Sequence, residues 1–339
     1  MAVSTTSGEL IQEPRGWGRR MVTTPVLFLF GLGSLVLLPL MLAIALIVDG
    51  IRRTRYSACR TVLFFTFFIW IEIAGLTLLF VLWLRRLAGL DAESYEEANR
   101  RVQIWWVRSN FAAVTRLFSV QVEVEGRSAL DDERPCVVLS QHASTLDPLI
   151  PMGVSESMKR FRYVMKAELL LDPALDYCGQ RLPNAFVRRG SDDPVGEVQK
   201  VVDLGRGLSR DDALVLYPEG TRFTPSKRRR LLEKYADDPE MRAVVESLKA
   251  TLPPLREGVL KLLQTTPRAD VVFIAHRGLH RAGSMADLLG GGLTRALFEV
   301  RIWRIPAHEI ARDPQGLRHF LLANWKEVDR FSDRSHSPE

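Results

Sequence analysis

Cysteine is scarce: Cys59, Cys136 and Cys178 stand far apart in a chain of 339 residues. An odd, scattered set draws neither a disulfide framework nor a zinc spacing, and it suits a reducing compartment. Beyond His142, the histidines His276, His280, His308, His319 and His336 show no ligand spacing, so no metal is expected. No G-x-S-x-G elbow occurs, which argues against a serine hydrolase. No Walker or dinucleotide fingerprint occurs either. The Gly290-Gly291-Gly292 run reads as a loop, and no cofactor is expected.

Charge is absent outright from Pro25 to Val48, across 24 positions. A helix of that length, at ~1.5 Å per residue, reaches across a hydrocarbon core of ~30 Å. It is too long for a signal-peptide core, and no small-residue cleavage pattern follows it. A second apolar run, Thr61 to Leu84, holds one acidic residue, Glu72. That carboxyl reads either as an intramembrane functional group or as a neutralised, interface-facing side chain. Both runs are expected in the bilayer. Two full spans would put the link 50–60, with Arg52, Arg53, Arg55 and Arg60, on the far side from the rest of the chain. The positive-inside tendency keeps such a link in the cytoplasm, and Arg15, Arg19, Arg20, Arg85 and Arg86 make the same demand. A hairpin dipping into one leaflet, helped by a kink at Pro39, meets it; two true spans remain open.

The mean hydropathy of zero hides this uneven distribution. A net charge of +6 with an isoelectric point near 9.4 points to an anionic partner. Arginines beside long apolar runs favour lipid over nucleic acid. The segment up to Phe118 mixes Trp105, Trp106 and Phe111 with Arg100, Arg101, Arg108 and Arg116, which suits either the headgroup level or a helix packed on the main domain. Ser94-x-x-Glu97 fits a capping box at its start.

From Val120 onward strand and helix patterns alternate. Strands are expected at 120–124, 136–141, 161–165, 185–187, 214–217, 271–275 and 298–305. Helices are expected at 148–155, 194–208, 228–250, 257–263 and 315–330. This spacing predicts an α/β domain with a mostly central mixed sheet flanked by helices, preceded by a two-helix membrane hairpin. The divisions are a disordered tail at 1–20, the transmembrane or re-entrant hairpin at 21–86, an amphipathic linker helix at 87–118, the catalytic domain at 119–330 and a C-terminal tail at 331–339.

Two stretches carry chemistry. Cys136 to Ser140 is a buried strand running into His142-Ala143-Ser144-Thr145-Leu146-Asp147-Pro148, an H-x-x-x-x-D loop. A histidine and a carboxylate delivered at a strand's exit suit acid–base work. Leu214 to Tyr217 is a second strand, running into Pro218-Glu219-Gly220-Thr221-Arg222. Between them lie Lys166-Ala167-Glu168-Leu169 and Phe186-Val187-Arg188-Arg189. Over residues 120–280 these landmarks resemble the glycerophospholipid acyltransferase family, whose best-known members acylate lysophosphatidic acid. The chain departs from the family pattern at Gln141, where asparagine is usual, at Pro183, where glycine is expected, and at Val271 to Ala275, an apolar strand lacking the usual proline. The insertion between Arg222 and Leu255 resembles the lysocardiolipin-type branch.

The resemblance implies transfer of a fatty acyl group from acyl-CoA or acyl-carrier protein to the sn-2 hydroxyl of lysophosphatidic acid. Lysophosphatidylglycerol or lysocardiolipin is the alternative acceptor. His142 would be the general base and Asp147 its orienting carboxylate. Substrate contacts would come from Glu219, Gly220, Thr221, Arg222, Arg189 and Lys166, with arginine forks matched to phosphate. Glu219 would either bind an acceptor hydroxyl or brace Arg222. Oxyanion donors are expected from backbone N–H groups near Gly220 and in the first turn after Asp147. The run Lys227 to Arg230 reads as a solvated face, or as a contact for anionic lipid or an acidic carrier protein. The expected setting is a bacterial inner membrane, with the catalytic domain on its cytoplasmic face. A non-catalytic lipid-binding membrane protein on the same fold is the rival from another class.

Overall fold

The computed structural model describes residues 16–157, 159–279 and 285–333. Most of the expected tail, residues 1–15, lies outside the described residues, as do His280, His336 and the end of the C-terminal tail at 334–339. The tail expected through residue 20 gives way earlier, because the first helix, α1, starts at Trp17 and runs to Arg52. It passes through Pro25 and Pro39 as a single element. A turn follows in which Arg53, Arg55 and Tyr56 all take positive φ, a conformation costing roughly 1–2 kcal/mol per non-glycine residue. The Asp49 carboxylate offsets it by accepting Thr54 Oγ1 at 2.5 Å and the N–H groups of Ala58 and Cys59 at 2.9 and 3.0 Å. Helix α2 (Ser57–Leu87) then returns along α1, and α3 (Ala92–Leu117) packs on α2.

Strands and helices alternate from there: β1 (Gln121–Glu125), α4 (Ser128–Asp131), β2 (Cys136–Ser140), α5 (Ile150–Val154), β3 (Arg160–Lys166), α6 (Pro173–Arg181), β4 (Ala185–Val187), α7 (Pro194–Gly205), β5 (Asp212–Leu216), α8 (Pro225–Lys234), α9 (Pro239–Ser247), α10 (Glu257–Thr265), β6 (Asp270–Arg277), α11 (Met285–Leu289), β7 (Leu297–Ile305) and α12 (Pro314–Ser332). Helices α6, α7, α8, α9 and α12 share one start signal: an Asp or Thr cap accepts a backbone N–H, and a proline takes the first turn. The cap satisfies one orphan donor and the proline has none to lose. Asp238-Pro239 is such a signal, and it divides the single helix expected over 228–250 into α8 and α9.

The seven strands order as β1-β7-β6-β2-β5-β3-β4. Strand β7 runs antiparallel to β6 and the other neighbouring pairs are parallel, so the sheet is mixed. Its central strands are buried on both faces, as parallel strands under helices must be. Along β2, Cys136 and Val138 join the core shared with α3 and α5, whereas Val137 and Leu139 join the core of α10 and α12. The same two-residue period holds in β5 and β6.

The hairpin and the domain are joined along the whole of α2. At its start Ser57 Oγ meets Thr294 Oγ1 at 2.6 Å, and Arg60 bonds the Leu117 carbonyl and Ser119 Oγ. Midway, Trp106 Nε1 donates to Glu72 at 2.5 Å. Near its end Arg181 donates to the Leu79 carbonyl at 2.9 Å. Helix α1 adds Arg19 and Arg20, both paired with the fully buried Asp176 at 2.8 and 3.1 Å. Glu72 is therefore buried against α3, and Trp106 is turned inward with it.

Candidate active site

The strand order brings the outgoing ends of β2, β5, β3 and β4 side by side. Loops at the carboxyl edge of such a sheet are where ligands of α/β proteins bind. His142 leaves β2, Arg222 leaves β5, Lys166 ends β3 and Arg189 follows β4, so four expected site residues stand along one edge.

His142 is held from three directions. Its Nδ1 lies 2.9 Å from Asp147 Oδ2, its backbone N–H donates to Glu219 Oε1 at 2.7 Å, and its carbonyl accepts the Phe223 N–H at 2.9 Å. The Tyr217 ring packs over the imidazole at 4.8 Å between centroids. Asp147 opens a 3-10 turn, Asp147–Leu149, with Pro148 in its second position. It is completely buried. Oδ2 also accepts the N–H groups of Ala143 and Ser144, each at 2.7 Å. Oδ2 is the acceptor in each of these contacts, so the Nδ1–Oδ2 geometry puts the histidine proton on Nδ1 and the lone pair on Nε2.

Glu219 has a different place from the two expected for it. It is 1% exposed, and its second oxygen accepts the Leu252 N–H at 2.8 Å. With both oxygens on backbone donors it ties the His142 loop to the 249–252 loop. Burial pushes its carboxyl up to about 8, against the pull of those two N–H groups. The second loop is itself anchored by Asp329 of α12, which accepts the N–H groups of Lys249, Ala250 and Thr251.

Gly220 takes φ +66, and a Cβ there would stand 3.0 Å from Arg256 Nε. Its N–H donates to the Tyr217 carbonyl at 2.9 Å. After Asp147 the Leu149 N–H is bonded to Leu146 and that of Ile150 to Asp147. The Gly220 amide and those of the turn after Asp147 are therefore committed to turn bonds. Thr221 Oγ1 accepts Lys227 Nζ at 2.8 Å, and the Arg222 carbonyl accepts it at 2.9 Å. Thr221 thus fixes a cation, and Lys227 is drawn inward from a run that read as a solvated face. Arg228 is likewise occupied, with the Leu248 carbonyl at 2.7 Å.

The cations converge. Burial, and then Arg189 and Arg222, hold the Lys166 ammonium below the usual lysine range. Burial and Arg256 lower Arg189; burial, Arg222, Arg189 and Lys166 lower Lys227. Lys166, Arg189, Arg222, Lys227 and Arg256 make a field of positive charge, with Glu168 as a nearby acid acting on Lys166 and Arg189. Such mutual repulsion is relieved by a bound anion. Arg256 carries no motif signal, since it follows Pro253, Pro254 and Leu255 on an irregular stretch. His276 and Gln141 also belong to the site: His276 Nε2 lies 3.3 Å from Asp147 Oδ1, and its backbone N–H donates to Gln141 Oε1 at 3.1 Å.

Residues 121–274 match the family model described as Acyltransferase. The match takes in both motif loops, His142 to Pro148 and Pro218 to Arg222, so the strand-and-loop core is similar to that family. It is 34% identical over 123 residues to 1-acyl-sn-glycerol-3-phosphate acyltransferase beta of Homo sapiens, a match covering 35% of this chain and 40% of that one. It is 28% identical over 117 residues to lyso-ornithine lipid O-acyltransferase of Rhizobium meliloti (strain 1021), covering 34% and 37%. The chain thus spans about two fifths of the curated relatives it matches. The fold is shared with the crystal structure of the 1-acyl-sn-glycerophosphate (LPA) acyltransferase, PlsC, from Thermotoga maritima, at a TM-score of 0.55 and 15% identity, over 82% of this chain and 97% of that one. The family's sequence signal is concentrated in the strand-and-loop core, whereas the fold likeness extends to most of the chain.

Proposed function

We propose that this protein transfers an acyl group from a thioester, acyl-CoA or acyl-carrier protein, to the sn-2 hydroxyl of a phosphate-bearing lysophospholipid, with lysophosphatidic acid as the first choice. The observation that carries the reading is the pairing, on one sheet edge, of an oriented imidazole with a converging set of cations. His142 Nε2 takes the hydroxyl proton as the oxygen attacks the thioester carbon. The tetrahedral adduct collapses, the C–S bond breaks, and the imidazolium returns the proton to the departing thiolate. Asp147 holds the Nδ1–H tautomer throughout. Arg222, Arg189 and Lys166 receive the acceptor phosphate, with Lys227 and Arg256 extending the field. An acceptor panel of lysophosphatidic acid, lysophosphatidylglycerol, lysocardiolipin and lyso-ornithine lipid, run with both donors, tests the assignment. The His142→Ala variant is expected to lose roughly 10²-fold or more in turnover while still fractionating with membranes; near-wild-type transfer in it would remove the base.

Helices α1 and α2 are long and apolar enough to cross a membrane. We place the chain on a membrane with the hairpin re-entrant. Both ends of α2 bond to the catalytic domain, so the arginine-rich turn 52–56 lies on the domain's side. Cys59, Cys136 and Cys178 are buried and give little labelling background. Cysteines introduced at Arg55 and Arg210, both exposed, should react from the same face of sealed vesicles. Labelling of the two from opposite faces would mean two true spans.

A further inference from the structure

We propose that His276 is a second positioning residue for the base, so that Asp147 is held between two imidazoles in a His142–Asp147–His276 relay. The proposal rests on the reading of His142 as the base.

Its ground is a pair of otherwise orphaned atoms. Asp147 Oδ2 takes His142 Nδ1–H and two backbone N–H groups, which leaves Oδ1 without a hydrogen-bond partner in a fully buried side chain. His276 Nε2 is likewise buried and without one. The two face each other at 3.3 Å. Burying both unpaired would cost about 1–3 kcal/mol each; a small turn of the His276 ring, with the proton on Nε2, would satisfy both at once.

Strand β6 delivers the ring there by register. Val272 and Ile274 face the core shared with α3 and α5, and His276 follows them at the same two-residue period. Its orientation is fixed by neighbours on both sides. The backbone N–H is bonded to Gln141 Oε1, which also accepts Ser332 Oγ from the end of α12 at 2.5 Å. The ring packs edge-on against Phe298 at 5.8 Å. Gln141 thereby continues the β2–β6 ladder with its side chain, a reach the shorter asparagine usual at that position lacks.

Two donors on opposite oxygens divide the carboxylate's charge. Without His276 more of it falls on His142, and an imidazolium next to a stronger acceptor gives up its proton less readily. The other titratable groups facing the pair are Glu219 and Tyr217 from β5 and its loop, Tyr163 of β3, and Asp329 of α12 acting on Glu219. None of them contacts Asp147 Oδ1.

The test is the pH profile of turnover. His276→Leu should lower kcat by about tenfold at pH below the acid limb, and by less at neutral pH, with KM for donor and acceptor unchanged. The acid limb of the kcat profile should move about one unit to higher pH, which is a tenfold change in the protonation equilibrium. His276→Gln, whose amide nitrogen stands near the place of Nε2, should return the limb toward wild type. A folded H276L with a wild-type limb overturns the relay, and so does an equal shift in both variants. Should H276L not fold, H276Q carries the test: a wild-type limb supports the relay and a displaced one overturns it. His142→Ala in the same assay separates the two readings. An inactive H142A beside an unshifted H276L overturns the relay alone, whereas an active H142A overturns the base itself.

Discussion

Replacing Glu219 by glutamine keeps the side chain's volume and removes its ionisation, which makes it a clean probe of the brace beneath His142. In the folded chain the carboxyl is pushed up from 4.5 to about 8, chiefly by burial. Between those two values the folded chain retains a proton that the unfolded chain has released. The contribution of Glu219 to stability is therefore fully present below 4.5 and lost as pH rises through about 8. At about 1.36 kcal/mol per pH unit the window amounts to at most about 5 kcal/mol. The E219Q variant carries an amide at every pH. Its NH2 must face either the His142 or the Leu252 N–H, two donors opposed, at a loss of about 1–3 kcal/mol. Thermal unfolding in detergent at pH 5, 7 and 9 should show E219Q less stable than wild type at pH 5. The gap should narrow by about 1.36 kcal/mol per pH unit and reverse between about pH 6 and 7. Turnover should fall by up to about 10²-fold at every pH, because the brace sets the place of the His142 loop, and displacements of about 1 Å cost that much. A gap that stays constant from pH 5 to 9 would refute the raised carboxyl, and wild-type turnover would refute the brace.

Arg222→Ala should mainly raise KM for a phosphate-bearing acceptor, by about 10–100-fold for the loss of one charge-assisted contact of about 1.5–3 kcal/mol; an unchanged KM moves the phosphate elsewhere along the sheet edge. Asp176→Asn leaves Arg20, itself buried, without its counter-charge, and should destabilise by about 3–5 kcal/mol in a detergent melt. Adding Arg20→Leu to it should recover a large part of that loss.

Much of the fold is legible because the signals are local. The two uncharged runs, the two-residue alternation of β1 and the continuous apolar stretches of β2, β5 and β6 each mark their element from a few neighbours. Capping boundaries are harder to place, because Asp172-Pro173 and Asp238-Pro239 open helices only where tertiary packing finishes them. That is why α6 is not evident from the sequence and why α8 and α9 look like one helix. The first turn of α1 is hidden for another reason. Arg19 and Arg20 read as part of a polar tail, yet their partner Asp176 lies more than 150 positions away.

The site divides the same way. His142 and Asp147 are five residues apart, so one loop holds their whole geometry and the sequence displays it. Glu219 is named by the same motif but acts on residues from two other loops, which spacing cannot reveal. The remaining letters of the motif behave alike. Gly220 supplies a positive-φ turn and Thr221 holds the Lys227 ammonium. Arg222 alone among Glu219 to Arg222 has a side chain left over from these loop contacts, and the proposed phosphate contact rests on it. A stretch that reads as a row of binding residues is thus mostly a device for building a loop. The cations and the imidazole that the loop brings together, Arg256 and His276 among them, come from segments without a motif. The motif is therefore legible in the residues that shape the loop, and it is silent on the residues that the fold brings to it from elsewhere.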